Sequence, residues 1–414
     1  MLSEPLFRHS NAELRFVLLR SLVFVAVVVA AVVVCAGAGC RSQSAKKQGV
    51  RPRTLRDVPA GRLAYQFTAD SEAPPGIGQG DEPNALVSSI QKDFDTTRPE
   101  DALLRTVISP DRQRVLVLYA TGGDEPNQYR LDVYGAAGDL QRHVTPAGLA
   151  VVFPTVAAWS PDGNFISFIA FKSTTLQPSP TPDEVLPDTG PGIPTSSPSP
   201  VPTVGQSVPS FDTEQIYLCN RDGYDLKPLT TREGLIYFYL AWAPDSHAIA
   251  SLACKEAEWR DSPLQPAGRP RLIGLDGGER LLDDMLTDVL PAWSPDSSKV
   301  ATAVDTDVRI YDALTDTPTQ ATIPLREALL EASRAYDEKE AAKNKTASEN
   351  SGADATTRTD SAPISFNPVV SLEWVKPETL YLQTGFVRNY ANEQRRTWMR
   401  WHLLRLSAQA ALLS

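Results

Sequence analysis

The sequence is poor in the residues that most often carry chemistry. Its 414 residues include only four cysteines and four histidines. Cys35 falls inside an uncharged apolar run, and Cys40, Cys219 and Cys254 are too few for a disulfide framework. Cys219 and Cys254 are left as either one disulfide or two buried free thiols. His9 precedes the apolar run, His247 sits in a turn, and His143 and His402 lie in strand-like stretches, so each reads as structural or exposed. No G-x-S-x-G elbow offers a serine nucleophile, and the chain after residue 385 is too short for an α/β-hydrolase domain. No H-E-x-x-H, paired-cysteine or G-x-x-x-x-G-K-[ST] pattern offers a zinc or phosphate site. Asp283-Asp284, and Asp305 with Asp307, lack the dense alternating acids of an EF-hand loop. These absences lead to the expectation of no catalytic residue, no metal, no cofactor and no enzymatic activity. An excess of positive charge is also missing: the formal net charge is −10. Nucleic acid is therefore not expected as a partner, because binding it relies on cations that displace phosphate counterions.

What the sequence does have is a globular composition, 42% hydrophobic and 22% charged, with 34 prolines that signal turns and linkers. Residues 21–39, "SLVFVAVVVAAVVVCAGAG", form an uncharged run long enough to span a bilayer, ending in small residues before Cys40. "GAGC" (37–40) resembles the bacterial lipobox, in which a cysteine receives lipid before cleavage. Gly37 stands where that pattern prefers Leu, Val or Ala. Residues 1–40 are thus read as a signal peptide or membrane anchor, with Cys40 as the lipid attachment site. Arg41, Lys46, Lys47, Arg51, Arg53 and Arg56 follow the run, and an uncleaved helix with that charge balance would favour a cytoplasmic C-terminal side. The readings are a lipoprotein, an uncleaved anchor with an external domain, and a cytoplasm-facing anchored scaffold. Residues 41–60 read as a basic polar tether.

From residue 61 onward the chain repeats itself. "VISPDRQRVLVLYA" (107–120), "AWSPDGNFISFIAF" (158–171), "AWAPDSHAIASLAC" (241–254) and "AWSPDSSKVATAV" (292–304) align, and "LEWVKPETLYLQT" (372–384) is a weaker copy. The interval from Ser109 to Ser160 equals that from Ala243 to Ser294. Each copy is followed by a second strand–turn–strand signature, such as "YRLDVYGAAGDLQRHVT" (129–145). A unit of about four short strands cannot bury both faces alone, whereas several packed radially can, which is the logic of a β-propeller. Five units are visible, and "GRLAYQFTA" (61–69) with "NALVSSIQKDF" (84–94) reads as part of a sixth. The expectation is an all-β chain, a propeller of six blades of four-stranded antiparallel sheet over 61–414, with five or seven blades as alternatives. The first and last strands are expected to share a blade. A proline-rich insertion occupies 174–210, and a helical plus polar insertion 324–362.

The Trp-Ser-Pro-Asp repeats resemble those of TolB-like β-propellers, relatives of WD-repeat proteins. The resemblance rests on Pro110-Asp111, Pro161-Asp162, Pro244-Asp245 and Pro295-Asp296, and on Trp159, Trp242, Trp293 and Trp374. The physics of the residues gives them a structural part. Proline sets φ for a turn, Asp accepts from nearby amides, and Gly163 permits positive φ. An aspartate recurring once per repeat is not a unique active-site acid. The resemblance implies an interaction platform, non-catalytic and outside the cell membrane, whose partner is another protein of the envelope. The alternative is an enzyme using acids of several blades in the propeller channel on glycans or peptides.

Overall fold

The strand after each repeated turn is apolar at successive positions: "RVLVLYA" at Arg114–Ala120, "FISFIAFK" at Phe165–Lys172 and "AIASLACK" at Ala248–Lys255. A strand hides both faces only where its sheet is covered on both sides. The computed structural model, which describes residues 54–75, 85–173, 208–261, 266–315, 317–351, 364–389 and 395–408, has that arrangement.

Strand β1 (Ala64–Thr68) and helix α1 (Ala85–Thr97) precede a first sheet of β2 (Ala102–Ile108), β3 (Arg114–Ala120), β4 (Arg130–Gly135) and β5 (Leu140–His143), paired in that order. In the second sheet β6 (Leu149–Val152) and β7 (Ala158–Trp159) both pair with β8 (Phe165–Lys172), followed by β9 (Gln215–Asn220) and β10 (Lys227–Pro228). The third sheet is β11 (Leu235–Trp242), β12 (Ala248–Lys255), β13 (Arg269–Gly274) and β14 (Glu279–Leu281), with the short helix α2 (Glu256–Asp261) after β12. The fourth is β15 (Ala292–Trp293), β16 (Lys299–Val304), β17 (Asp307–Asp312) and β18 (Gln320–Pro324). Helix α3 (Arg326–Ser351) separates it from β19 (Ile364–Phe366), β20 (Val369–Lys376), β21 (Thr379–Asn389) and β22 (Arg395–Ser407). β1 completes this fifth sheet by pairing antiparallel with β22, Tyr65 opposite Leu406 and Phe67 opposite Leu404.

Side-chain alternation along the strands splits the core between neighbouring sheets. Leu116 and Leu118 of β3 pack with Ile166 and Phe168 of the second sheet. Ile169 and Ile216 of the second sheet pack with Tyr237, Leu240 and Ile249 of the third. Ala301, Val308 and Ile310 of the fourth pack with Leu380, Leu382 and Leu404 of the fifth.

The residues thus build mostly β structure with several four-stranded antiparallel sheets, and two expectations need correction. The described residues form five sheets, not six blades. Of the stretches assigned to a sixth, 61–69 supplies β1 to the fifth sheet, and 84–94 falls largely in helix α1. Ile90 and Phe94, one helical turn apart, are buried against Val115, Val117, Tyr119 and Tyr134, while Ser88, Gln91, Lys92 and Asp95 face solvent. That spacing is helical, and α1 covers the face of the first sheet that the second sheet leaves free. The core also takes in part of the segment read as a tether: Leu55, Val58 and Ala60 are buried. The apolar run with Cys40 and most of the proline-rich insertion lie outside the described residues. Among the described residues no helix is long and apolar enough to cross a membrane.

Candidate binding site

The repeated turns share one geometry. In each, the residue after Pro-Asp returns its amide to the carbonyl three positions back: Arg112 to Ser109, Gly163 to Ser160, Ser246 to Ala243 and Ser297 to Ser294, at 2.8–2.9 Å. All four of these residues have positive φ, between 57° and 72°. The aspartates accept from the amide two positions on: Asp111 from Gln113, Asp162 from Asn164, Asp245 from His247 and Asp296 from Ser298, at 3.0–3.1 Å. Hydrogen bonds from Ser109, Ser160 and Ser294 hold Asp111, Asp162 and Asp296 below the usual carboxylate range; burial opposes this at Asp162 and Asp296 and is outweighed. Pro110, Pro161, Pro244 and Pro295 occupy the second position of these turns, where a fixed φ is an advantage.

The tryptophans before the turns tie one repeat to another. Trp159 Nε1 donates to Val107 O at 2.9 Å, and Trp293 Nε1 to Ala241 O at 3.0 Å, each reaching the preceding sheet. Trp374 Nε1 donates to Pro377 O in its own turn at 3.1 Å. Trp242 stacks on Phe165, and its buried Nε1 has no acceptor among the described residues. None of these motif residues forms a cluster of catalytic type. Of the acid pairs weighed for a metal, Asp283 accepts from Arg309 at 2.6 Å and Tyr311 at 2.9 Å, and Asp284 pairs with Arg269. Cys219 and Cys254 are buried free thiols, which burial pushes up to about 12 and about 11 respectively.

Among the described residues, one concavity lies at the edges of three sheets. β11, β15 and β20 are edge strands of the third, fourth and fifth sheets, and residues on and beside them line a cavity of about 350 Å³. Tyr239, Trp293, Glu373 and Trp374 line it, with Leu290 and Val370, which are 48% and 37% exposed. β-Bulges flank it. The β11–β12 register slips between Tyr237 and Tyr239, and the β20–β21 register slips between Val369 and Ser371 and again between Trp374 and Lys376. A bulge turns a side chain away from its regular alternation, the usual means of re-aiming residues at a site. The extra residue on β11, Phe238, is accommodated because Gly268 opposite has no side chain; a Cβ there would lie 2.8 Å from its ring. Trp293 and Trp374 were singled out in the sequence as repeat tryptophans, whereas Tyr239, Leu290, Val370 and Glu373 carry no motif.

A second polar group sits under α1. Asp132, fully buried, accepts from Arg98 at 2.8 Å and meets His143 Nδ1 at 2.9 Å and the Tyr119 hydroxyl at 3.3 Å. The Arg98 guanidinium lies 4.5 Å over Phe94 and 4.1 Å over Tyr119. Burial works against its charge, but hydrogen bonds to Asp132, Tyr134 and Tyr119 outweigh it and hold its pKa above the ordinary value. These residues join the helix to the first sheet.

No family model matches the sequence, and no curated protein does. Among solved structures, the chain is similar to a prolyl endopeptidase at 8% identity, over 82% of this chain and 42% of that one, with a TM-score of 0.35. The chain thus spans less than half the length of that enzyme. A nidogen/laminin complex is similar at 8% identity over 83% of this chain and 99% of that one, TM-score 0.31. Dipeptidyl peptidase 4 of Porphyromonas gingivalis is similar at 11% identity over 71% and 38%, TM-score 0.32. Peptidases stand among these structures, against the expectation that the chain is not an enzyme, and that expectation is withdrawn. Likeness at this level assigns no reaction or partner to the chain.

Proposed function

We propose that this chain is a TolB-like β-propeller held at the outer face of the cell membrane, where it binds another protein of the envelope. The propeller reading is supported by successive antiparallel sheets of four or five strands, the first packed on the second, the second on the third and the fourth on the fifth, with β1 completing the last sheet. The tether reading is supported by the uncharged run 21–39 ahead of Cys40, which would carry the lipid. Binding is supported above all by one observation: a cavity of about 350 Å³ at the converging free edges of three sheets, with Leu290 and Val370 exposed at it. That volume is within the range of binding clefts, roughly 300–1,000 Å³. Exposed apolar residues beside a concave site are a common mark of a docking surface.

The test is photo-crosslinking in membranes of the native host, from a photoreactive residue at position 290 and, as a control, at position 224, an exposed turn between β9 and β10. A discrete envelope protein captured from 290 and not from 224 is the expected result. Equal capture from both, or capture of cytoplasmic proteins alone, would remove this reading.

A further inference from the structure

The cavity at β11, β15 and β20 has a single charged group among its lining residues, the Glu373 carboxylate. Several acids elsewhere in the fold are matched. Asp132 pairs with Arg98, Glu279 with Arg271 and Arg232, Asp283 with Arg309, and Asp312 with Lys299. Among the described residues, by contrast, Glu373 has no ion-pair partner, although it is exposed and projects from a strand rather than a loop tip. Tyr239, Trp293 and Trp374 line the same cavity. Burial first, and the Glu373 charge second, raise the Tyr239 phenol above its ordinary value, so it stays protonated beside the carboxylate. A carboxylate with no cation among the described residues, in a cavity that aromatic residues also line, is the complement of a delocalised cation: the carboxylate supplies the countercharge and an aromatic ring a quadrupole for its face. Leu290 and Val370 at the same cavity suit the apolar stem or neighbours of such a group. The net charge of −10 favours the approach of a cationic segment.

We infer that this cavity receives an arginine side chain of the partner protein, its guanidinium paired with Glu373 and stacked against Tyr239, Trp293 or Trp374. The inference rests on the reading of the cavity as the docking site and adds the chemistry that is recognised there. The guanidinium is preferred to a lysine ammonium because it is planar and more weakly hydrated, and so gains from stacking as well as from charge.

The experiment uses the full chain in detergent micelles and two probes, the tripeptide Ac-Leu-Arg-Leu-NH₂ and its citrulline counterpart, which keeps the planar shape but loses the charge and has an acceptor oxygen in place of one NH₂ donor. Binding is read from intrinsic tryptophan fluorescence and from a competition with the partner crosslink at position 290. The arginine peptide is expected to bind at least about tenfold more tightly than the citrulline peptide, to weaken with added salt, and to compete with the crosslink. Glu373→Gln should remove the difference between the two peptides without lowering the thermal unfolding midpoint, since an exposed, unpaired carboxylate supports no other group. Equal binding of both peptides, or an unchanged preference in Glu373→Gln, overturns the cation inference and leaves the docking site standing. No binding of either peptide, with the crosslink at 290 intact and uncompeted, also overturns the inference. Loss of the crosslink itself falls on the docking reading instead.

Discussion

The backbone N–H of Asp162 donates to the Ser246 hydroxyl of the next sheet at 3.0 Å, and Asp245 N–H repeats the bond to Ser297 at 3.0 Å. The third and fourth repeated turns therefore each hold a hydroxyl against the turn before. The acceptor comes from the residue with left-handed backbone, φ 63° at Ser246 and 58° at Ser297, where a side chain is disfavoured. At the first two turns the same positions are Arg112 and Gly163, and Gly163 has no hydroxyl to offer. Ser246 and Ser297 accept conformational strain in exchange for a bond between sheets.

That balance separates two substitutions at one site. Ser246→Ala keeps the strain and loses the bond, leaving Asp162 N–H without its partner, and should cost about 1–2 kcal/mol. Ser246→Gly loses the same bond but relieves the backbone, so its cost should be smaller by about 0.5–1 kcal/mol. Arg112→Gly, which relieves strain alone, should be neutral or stabilising. Urea midpoints at constant slope give all three values; a Ser246→Gly protein less stable than Ser246→Ala would refute the account.

Arg98 is the pin of helix α1. Its charge is shared by buried Asp132 at 2.8 Å and by Asp101 at 2.9 Å, and its flat face lies over Phe94 and Tyr119. Arg98→Ala would strand a fully buried carboxylate and should cost about 3–5 kcal/mol, the range for breaking a buried pair from one side. Hydrogen exchange should rise first along 85–97 and in β3. A loss below about 1 kcal/mol would mean that water or His143 replaces the guanidinium.

What could be read in the sequence was what local chemistry decides. Ser160-Pro161-Asp162-Gly163 turns the chain wherever it is placed, since the hydrogen bonds that close the turn run to its own neighbours, and so the repeats and their strands were legible. Helix α1 was misread because "NALVSSIQKDF" is short, and its decisive feature is that Ile90 and Phe94 find one sheet face to cover. Leu55 and Val58 were hidden in a basic stretch for the same reason: their burial depends on sheets far along the chain. Nothing local distinguishes Glu373 from any other strand acid. Its setting is made by Tyr239 and Trp293, which belong to two other sheets. The cavity is a product of how edges converge, and no single repeat contains it.

His402 gives the fold an acid limit. The ring is buried between its partners: Nδ1 accepts from Asp70 N–H at 3.2 Å, so Nε2 carries the hydrogen and donates to Thr384 Oγ1 at 2.8 Å. A proton on Nδ1 would face an N–H. Burial, then the nearby Arg400 charge, bring the pKa down to about 4. The unfolded chain, with an ordinary histidine near pKa 6.5, binds that proton at a higher pH than the fold does. The contribution is therefore complete above about pH 6.5 and falls away as the pH drops towards 4, by on the order of 3 kcal/mol in all. His402→Gln cannot titrate and should flatten the stability profile between pH 7 and 4.5, whatever its effect at pH 7. An unchanged slope in that variant would assign the acid sensitivity to other groups.

Asp312 fastens the start of the fold. Its carboxylate, almost fully buried, accepts from Lys299 Nζ at 3.0 Å, from Thr319 N–H and hydroxyl at 2.9 and 2.6 Å, and from Ala60 N–H at 2.9 Å. Burial resists the charge, but these donors outweigh it and hold the pKa below the ordinary value. Ala60 lies just ahead of β1, so the bond fixes the path by which the chain crosses from the fourth sheet to the edge of the fifth. Asp312→Asn keeps oxygen for one or two donors but leaves Lys299 buried and uncompensated, and should cost about 3 kcal/mol or more. Asp312→Asn with Lys299→Met removes both charges and should recover much of that loss while still lacking the full set of bonds to Ala60 and Thr319. In the double variant, proteolysis and hydrogen exchange should open residues 54–68 before any other part of the fifth sheet. If the double variant instead protects that segment as well as the parent does, the anchoring lies with Leu55 and Val58 in the core rather than with Asp312.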